Sequence, residues 1–225
     1  MNYSDRKTAV ITGGNSGIGL ALAKKLLSEN YQVIITSRSG TLSGFYHSDL
    51  IVFKLDVTDK SSITSAAAEI NHAVKYVDLL INNAGIATDA YFIKPEYESF
   101  TQTVAVNITG LVFFAEAMLD QIAEGGHIIN ISTDMGLLSE AKSNGPAYRM
   151  SKAAINMYTK MLSQRLTEKN IRVTAVHPGW VKTRIGGENA PMDTQWSAEG
   201  LYKVIQDTAR TGEFRNIAND DRFLL

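Results

Sequence analysis

Thr8-Ala9-Val10-Ile11-Thr12-Gly13-Gly14-Asn15-Ser16-Gly17-Ile18-Gly19 decides the fold of this chain. Thr8 to Thr12 is a short apolar, β-branched run, the composition of a strand buried on both faces. Gly13 and Gly14 then permit a tight turn. From Gly17 to Asn30 the apolar residues Ile18, Leu22 and Leu26 recur at helical spacing. A helix that starts from such a turn offers unpaired backbone N–H groups and a partial positive charge, and the glycines let a phosphate approach the backbone. Gly13, Asn15, Ser16, Gly17, Ile18 and Gly19 are therefore candidates for holding a pyrophosphate.

Outward from this unit the same alternation repeats. Strands are predicted over Gln32 to Ser37, Leu50 to Asp56, Asp78 to Asn82, His127 to Ser132 and Ile171 to His177. Helices are predicted over Asp59 to Val74, with Asp59 or Ser61 as N-cap, and over Phe100 to Ala123, Tyr148 to Lys169 and Ser197 to Arg210. A short edge strand is signalled weakly at Glu213 to Arg215. The pattern predicts an α/β fold, a doubly wound parallel sheet of Rossmann type, as a single domain over residues 1–225. Gly179 to Gln195 has few periodic apolar residues and reads as a mobile loop over the carboxyl edge of the sheet, where open α/β sheets bind ligands.

Composition narrows the function. The 225 residues carry 22 basic and 23 acidic side chains with no basic stripe, which argues against nucleic acid and anionic membranes as partners. With no cysteine, disulfides, thiolate zinc sites and a cysteine nucleophile are excluded. His47, His72, His127 and His177 are scattered without ligand spacing, so no metal site is expected. Met1 to Lys7 do not form a secretion signal, and the apolar runs fall short of a membrane span. A cytoplasmic protein is expected.

Further short motifs follow the glycine turn in order. Asp56-Val57 ends the third strand, and Asn82-Asn83-Ala84-Gly85 ends the fourth. Asn107 sits in the long helix within Val106-Asn107-Ile108-Thr109-Gly110. Tyr148 and Lys152 share one helical face, four residues apart. His177-Pro178-Gly179-Trp180-Val181-Lys182-Thr183 follows the sixth strand. Together with the T-G-x-x-x-G-x-G spacing at Thr12, these motifs resemble the short-chain dehydrogenase/reductase family, in its compact single-domain, carbonyl-reductase-like branch.

The resemblance implies a nicotinamide dinucleotide held by the glycine turn, by Asp56 and Val57, by Asn83, Ala84 and Gly85, by Tyr148 and Lys152, and by Pro178, Gly179, Val181 and Thr183. NAD-preferring relatives carry an acidic residue where this chain has Ser37, followed by Arg38. A guanidinium there pairs with a 2′-phosphate, so NADP(H) is expected. Tyr148 is the implied general acid/base of hydride exchange between the nicotinamide and a carbonyl or alcohol. A nearby Lys152 ammonium is expected to favour the phenolate, which otherwise forms only near pH ~10. The family serine that hydrogen-bonds the substrate oxygen aligns with Thr133, with Ser132 as competitor. Asn107 is implied to kink its helix and to hold a water leading to the lysine.

Met135, Leu137, Leu138, Tyr91, Phe92, Trp180 and Trp196 suit an apolar substrate lining. A small-molecule aldehyde or ketone is the expected substrate class. A non-catalytic NADP(H)-binding sensor or interaction protein would need the same binding residues, but it has no use for Tyr148, Lys152 and Asn107 together. The resemblance implies a homodimer in which the two long helices, which carry more apolar surface than one sheet face needs, pair across a two-fold axis.

Overall fold

The glycine turn does join a strand to a helix, β1 (Thr8–Thr12) to α1 (Gly17–Ser28). The computed structural model describes residues 6–225, so the reading of Met1 to Asp5 lies outside the described residues. The chain continues through β2 (Gln32–Ser37), β3 (Leu50–Lys54), α2 (Lys60–Ala73), β4 (Val77–Asn82), α3 (Tyr97–Val104), α4 (Leu111–Met118) and β5 (Ile122–Ile131). It ends with α5 (Pro146–Arg165), β6 (Arg172–His177), α6 (Thr194–Gln206), β7 (Glu213–Asn216) and β8 (Asp221–Leu224).

All strands join one sheet in the order β3-β2-β1-β4-β5-β6-β7-β8, parallel throughout except for the β7–β8 hairpin. The order reverses between β1 and β4. That places the crevice for a ligand above the carboxyl ends of these two strands. The β1 residues alternate between two cores. Ala9 and Ile11 pack with Leu22, Leu26 and Leu201 under α1 and α6. Val10 packs with Ile70, Phe114, Met118 and Leu162 under α2, α4 and α5. Burial on both faces explains the continuous apolar runs. β3 departs from it because it is an edge strand, and its residues are half-buried or exposed.

Several boundaries differ from the sequence reading. The long helix starts earlier, at Tyr97, and stops at Met118 with one 3₁₀ turn over Leu119–Gln121. Ile122 and Ala123 belong instead to β5, where Ile122 pairs with Val77 across a register shift. Asp59, not Ser61, caps α2, accepting from Ser61 N–H. β8 has no clear signal because its residues are all exposed. It is held by its pairing to β7 and by Arg215, which bridges Asp207 at 2.9 Å and Asp220 at 3.4 Å. The expected loop after β6 is tied down: Lys182 N–H donates to Met192 O at 2.8 Å and Trp180 Nε1 to Gly186 O at 2.8 Å.

Tyr97–Gln121 is one helical stretch long and apolar enough to cross a membrane by length and composition alone. Its Leu111, Phe114, Ala115 and Met118 are buried, so it serves as a core helix with one face left open.

Candidate active site

The glycine turn is braced from β4. Asn83 Nδ2 donates to Thr12 O at 2.9 Å and to Gly13 O at 3.2 Å. Asn83 N–H and Ala84 N–H both donate to Thr12 Oγ1 at 3.0 Å. Gly13 has φ +64°, a left-handed conformation that a side chain strains. A Cβ at Gly19 would lie 2.6 Å from Asn83 Nδ2. No side chain caps the N-terminus of α1 at Ser16, which leaves its first N–H groups for a ligand. A Cβ at Gly17 would meet only Thr183, 3.5 Å away, so the loop after β6 reaches over the start of α1. In that loop Gly179, at φ +81°, lies against Trp196, and Pro178 O accepts from Ser197 Oγ at 2.8 Å. Val181 bridges to Met192. The turn, the Asn83-Ala84-Gly85 segment and the Pro178–Thr183 loop thus enclose one cradle. It fits the pyrophosphate and nicotinamide half of a dinucleotide.

The ends of β2 and β3 close the other side. Ser37 is buried and Arg38 exposed. The Asp56 carboxyl is held below its usual range, first by hydrogen bonds from Thr58 and in lesser part by the Arg38 charge. Val57 packs against Gly110, where a Cβ would fall 2.6 Å from Val57 O.

The expected reacting groups, Tyr148 and Lys152, lie near the carboxyl ends of β4 and β5. Lys152 is buried, and its Nζ donates to Ile131 O at 2.8 Å and lies 5.5 Å from the Tyr148 ring centre. Burial lowers the Lys152 ammonium to about 8. The expectation that Lys152 lowers the phenol is corrected here. Burial, with the charge of Asp134 added, pushes Tyr148 up to about 12. Lys152 Nζ donates its hydrogen bond to Ile131 O and not to the phenol, and desolvation dominates at Tyr148, favouring the neutral phenol.

Thr133 and Ser132 part company. Ser132 Oγ donates to Asn156 Oδ1 at 2.7 Å in the interior. Thr133 lies at the end of β5, and its hydroxyl donates to Asp134 Oδ1 at 2.8 Å. Asn107 lies in a π-helical segment, Ala105–Gly110, between α3 and α4. Its side chain accepts from Ile86 N–H at 2.9 Å and donates to Ile86 O at 2.8 Å and Ser151 Oγ at 3.1 Å. The helix changes to π-form at this residue, and the amide ties it to the segment after Gly85 and to α5.

Two features escaped the sequence reading. Asp89, 1% exposed, accepts from Ala147 N–H at 2.5 Å and Tyr148 N–H at 3.1 Å. Pro146, the first residue of α5, has no N–H, and Arg149 N–H already donates to Gly145 O. One carboxylate therefore satisfies the open end of the Tyr148 helix. The second feature is the buried chain from Asn82 through Asn130 to Thr159, with links of 2.8 and 2.9 Å. A partner so distant in sequence leaves no local signal. Of the proposed lining, Tyr91 and Leu138 are almost fully exposed at 87% and 90%.

Comparison with known proteins agrees with this arrangement. The family model described as short chain dehydrogenase matches residues 7–194. An acetoacetyl-CoA reductase from Acinetobacter sp. is 33% identical over 192 residues, covering 80% of this chain and 76% of that protein. Carbonyl reductase family member 4 from Xenopus laevis is 27% identical over 224 residues, 97% of this chain and 91% of that one. The crystal structure of NADPH-bound carbonyl reductase from chicken fatty liver superposes with a TM-score of 0.89 at 29% identity, covering 98% of this chain and 94% of that chain. A match over residues 7–194 places the chain in the short-chain dehydrogenase family.

Proposed function

We propose that this protein reduces aldehydes or ketones with NADPH, with Tyr148 as the proton donor. The observation that carries the reading is the Tyr148 phenol, held protonated beside buried Lys152 and in reach of the glycine cradle. NADPH, held by the glycine cradle, would supply the hydride that reaches the carbonyl carbon. The C=O π pair then moves onto oxygen, which takes the Tyr148 proton. Thr133 offers a second hydroxyl to that oxygen. Lys152, lowered to about 8 and 5.5 Å from the Tyr148 ring centre, returns a proton to the phenol in this scheme. Asn107 fixes the helix that backs Lys152. The NADPH-bound relative and Arg38 beside Asp56 support NADP(H), with Ser37 removing the acidic side chain that would repel a 2′-phosphate.

The test is NADPH oxidation with a panel of aldehydes and ketones. Tyr148→Phe loses ~10²–10⁴-fold in kcat, the contribution of a general acid, while its NADPH affinity is kept. Equal NADPH binding with no turnover by the wild-type protein refutes the reductase reading and favours a sensor. Arg38→Ala raises KM for NADPH ~10-fold or more, from the loss of a charge-assisted hydrogen bond, and leaves KM for NADH unchanged.

A further inference from the structure

Asp134 stands beside the reacting groups and has no role in the chemistry above. It opens a single 3₁₀ turn over Asp134–Gly136, directly after Thr133. Its Oδ1 accepts from Thr133 Oγ1 at 2.8 Å and from Met135 N–H at 2.7 Å. Among the described residues no lysine or arginine forms an ion pair with it within 4 Å. The carboxylate thus sits one hydrogen bond from the hydroxyl that the reductase reading assigns to the substrate oxygen, and its charge contributes to raising Tyr148. His177 is kept neutral by burial and does not offset that charge.

A threonine hydroxyl has one hydrogen to give, and here it goes to Asp134. A substrate oxygen must compete for it. When the oxygen wins, the half-buried carboxylate loses a donor, which is costly. A substrate with its own donor beside the carbonyl removes that cost. The two oxygens of an α-hydroxycarbonyl lie about one hydrogen-bond length apart, as do Thr133 Oγ1 and Asp134 Oδ1. The carbonyl oxygen can accept from Thr133 while the α-hydroxyl donates to Asp134. An α-keto acid would place a carboxylate against Asp134, and the like charges repel.

Resting on the reductase reading, we infer that Asp134 is a specificity-determining residue that selects carbonyl compounds bearing an O–H or N–H donor on the adjacent carbon, and rejects α-keto acids. The test is kcat/KM with NADPH for a matched trio: 2-hydroxyacetophenone, its near-isostere propiophenone, and phenylglyoxylate. Asp134→Ala and Asp134→Asn are compared with wild type after thermal melts show each to be folded. In Asp134→Ala the preference for 2-hydroxyacetophenone over propiophenone falls ~10-fold or more, the effect of one hydrogen bond to a charged group. Phenylglyoxylate gains relative to propiophenone in both variants. If propiophenone is turned over and both ratios stay at the wild-type values, Asp134 does not select substrate and the reductase reading stands. If neither the trio nor simple aldehydes and ketones are reduced by wild type, the reductase reading falls, and this inference with it.

Discussion

Ser132 donates its hydroxyl hydrogen to Asn156, while Thr133 donates to Asp134 just beyond the end of β5, and the proposed reaction assigns the substrate oxygen to Thr133. Ser132→Ala leaves Asn156 Oδ1 without that donor and lowers stability by about 1–3 kcal/mol, seen as a lower urea midpoint with kcat little changed. Thr133→Ala weighs the other way, lowering kcat ~10-fold or more with the smaller loss of stability, because the Asp134 carboxylate left behind is only half-buried and keeps Met135 N–H. Steady-state kinetics with equilibrium unfolding separate the two, and a larger kcat loss for Ser132→Ala reverses the assignment. Lys152 links the site to pH. Its folded value of about 8 lies below its ordinary 10.5, so between these values the unfolded chain binds more protons. Stability from this group therefore rises with pH through that window, by up to about 3 kcal/mol. Above pH ~10 Tyr148, held protonated to about 12, acts in the opposite direction. Urea midpoints of apoprotein at pH 8 and 10 should differ more in wild type than in Lys152→Met; equal slopes count against a buried ammonium. At this scale the sequence revealed which residues meet, because spacing and order carry that. It did not reveal their electrostatics. The direction of the Tyr148 shift depends on desolvation and on where the Lys152 protons go, and only packing decides both.

The helix that carries Tyr148 depends on a residue far from it in sequence. Asp89, after β4, occupies the two N–H groups at the start of α5 that would otherwise be unpaired, and its charge faces the positive end of the helix. Asn144 Nδ2 to Ala90 O at 2.8 Å and Gly145 N–H to Phe92 O at 2.9 Å join the same two segments. Asp89→Asn turns one acceptor into a donor facing a backbone N–H. Loss of a cap of this kind costs about 1–2 kcal/mol. Expected outcomes are a lower melting temperature and a kcat reduced ~10-fold as Tyr148 shifts, with NADPH affinity by fluorescence titration unchanged. A parallel loss of NADPH affinity would show general unfolding instead of misplacement of α5. Element boundaries were legible wherever a period was strong, as in α1, α2 and β6. They were not where the backbone changes type under tertiary pressure. Asn107 is unfavourable mid-helix, yet no pattern in Ala105–Gly110 announces a π-segment; the demand comes from Ile86 and Ser151, which claim its amide.

Across the whole molecule, the alternation of strands and helices sufficed to predict a doubly wound parallel sheet, while the strand order came from the structure. β8 was hidden because an exposed strand of four residues draws its stability from Arg215 and from Phe214 against Phe223, ring centres 6.2 Å apart. One surface remains unexplained by the single chain. α4 and α5 lie side by side, joined by Tyr158 Oη to Glu116 at 2.8 Å and Arg165 to Glu116 at 2.6 Å. Phe113 on α4 and Met157 and Met161 on α5 are 59%, 63% and 59% exposed. Large apolar side chains at helical spacing on two adjoining helices make a self-complementary face, and a two-fold axis would bury it against its own copy. The same pairing would also cover part of the open, apolar side of Tyr97–Gln121. The protein should therefore run as a dimer at micromolar concentration in size-exclusion chromatography with light scattering. The double variant Met157→Glu/Met161→Glu should halve that mass while keeping the glycine cradle, and so NADPH binding, intact. Wild type that stays monomeric at that concentration, or a dimer that persists in the double variant, places the dimer contact elsewhere or nowhere.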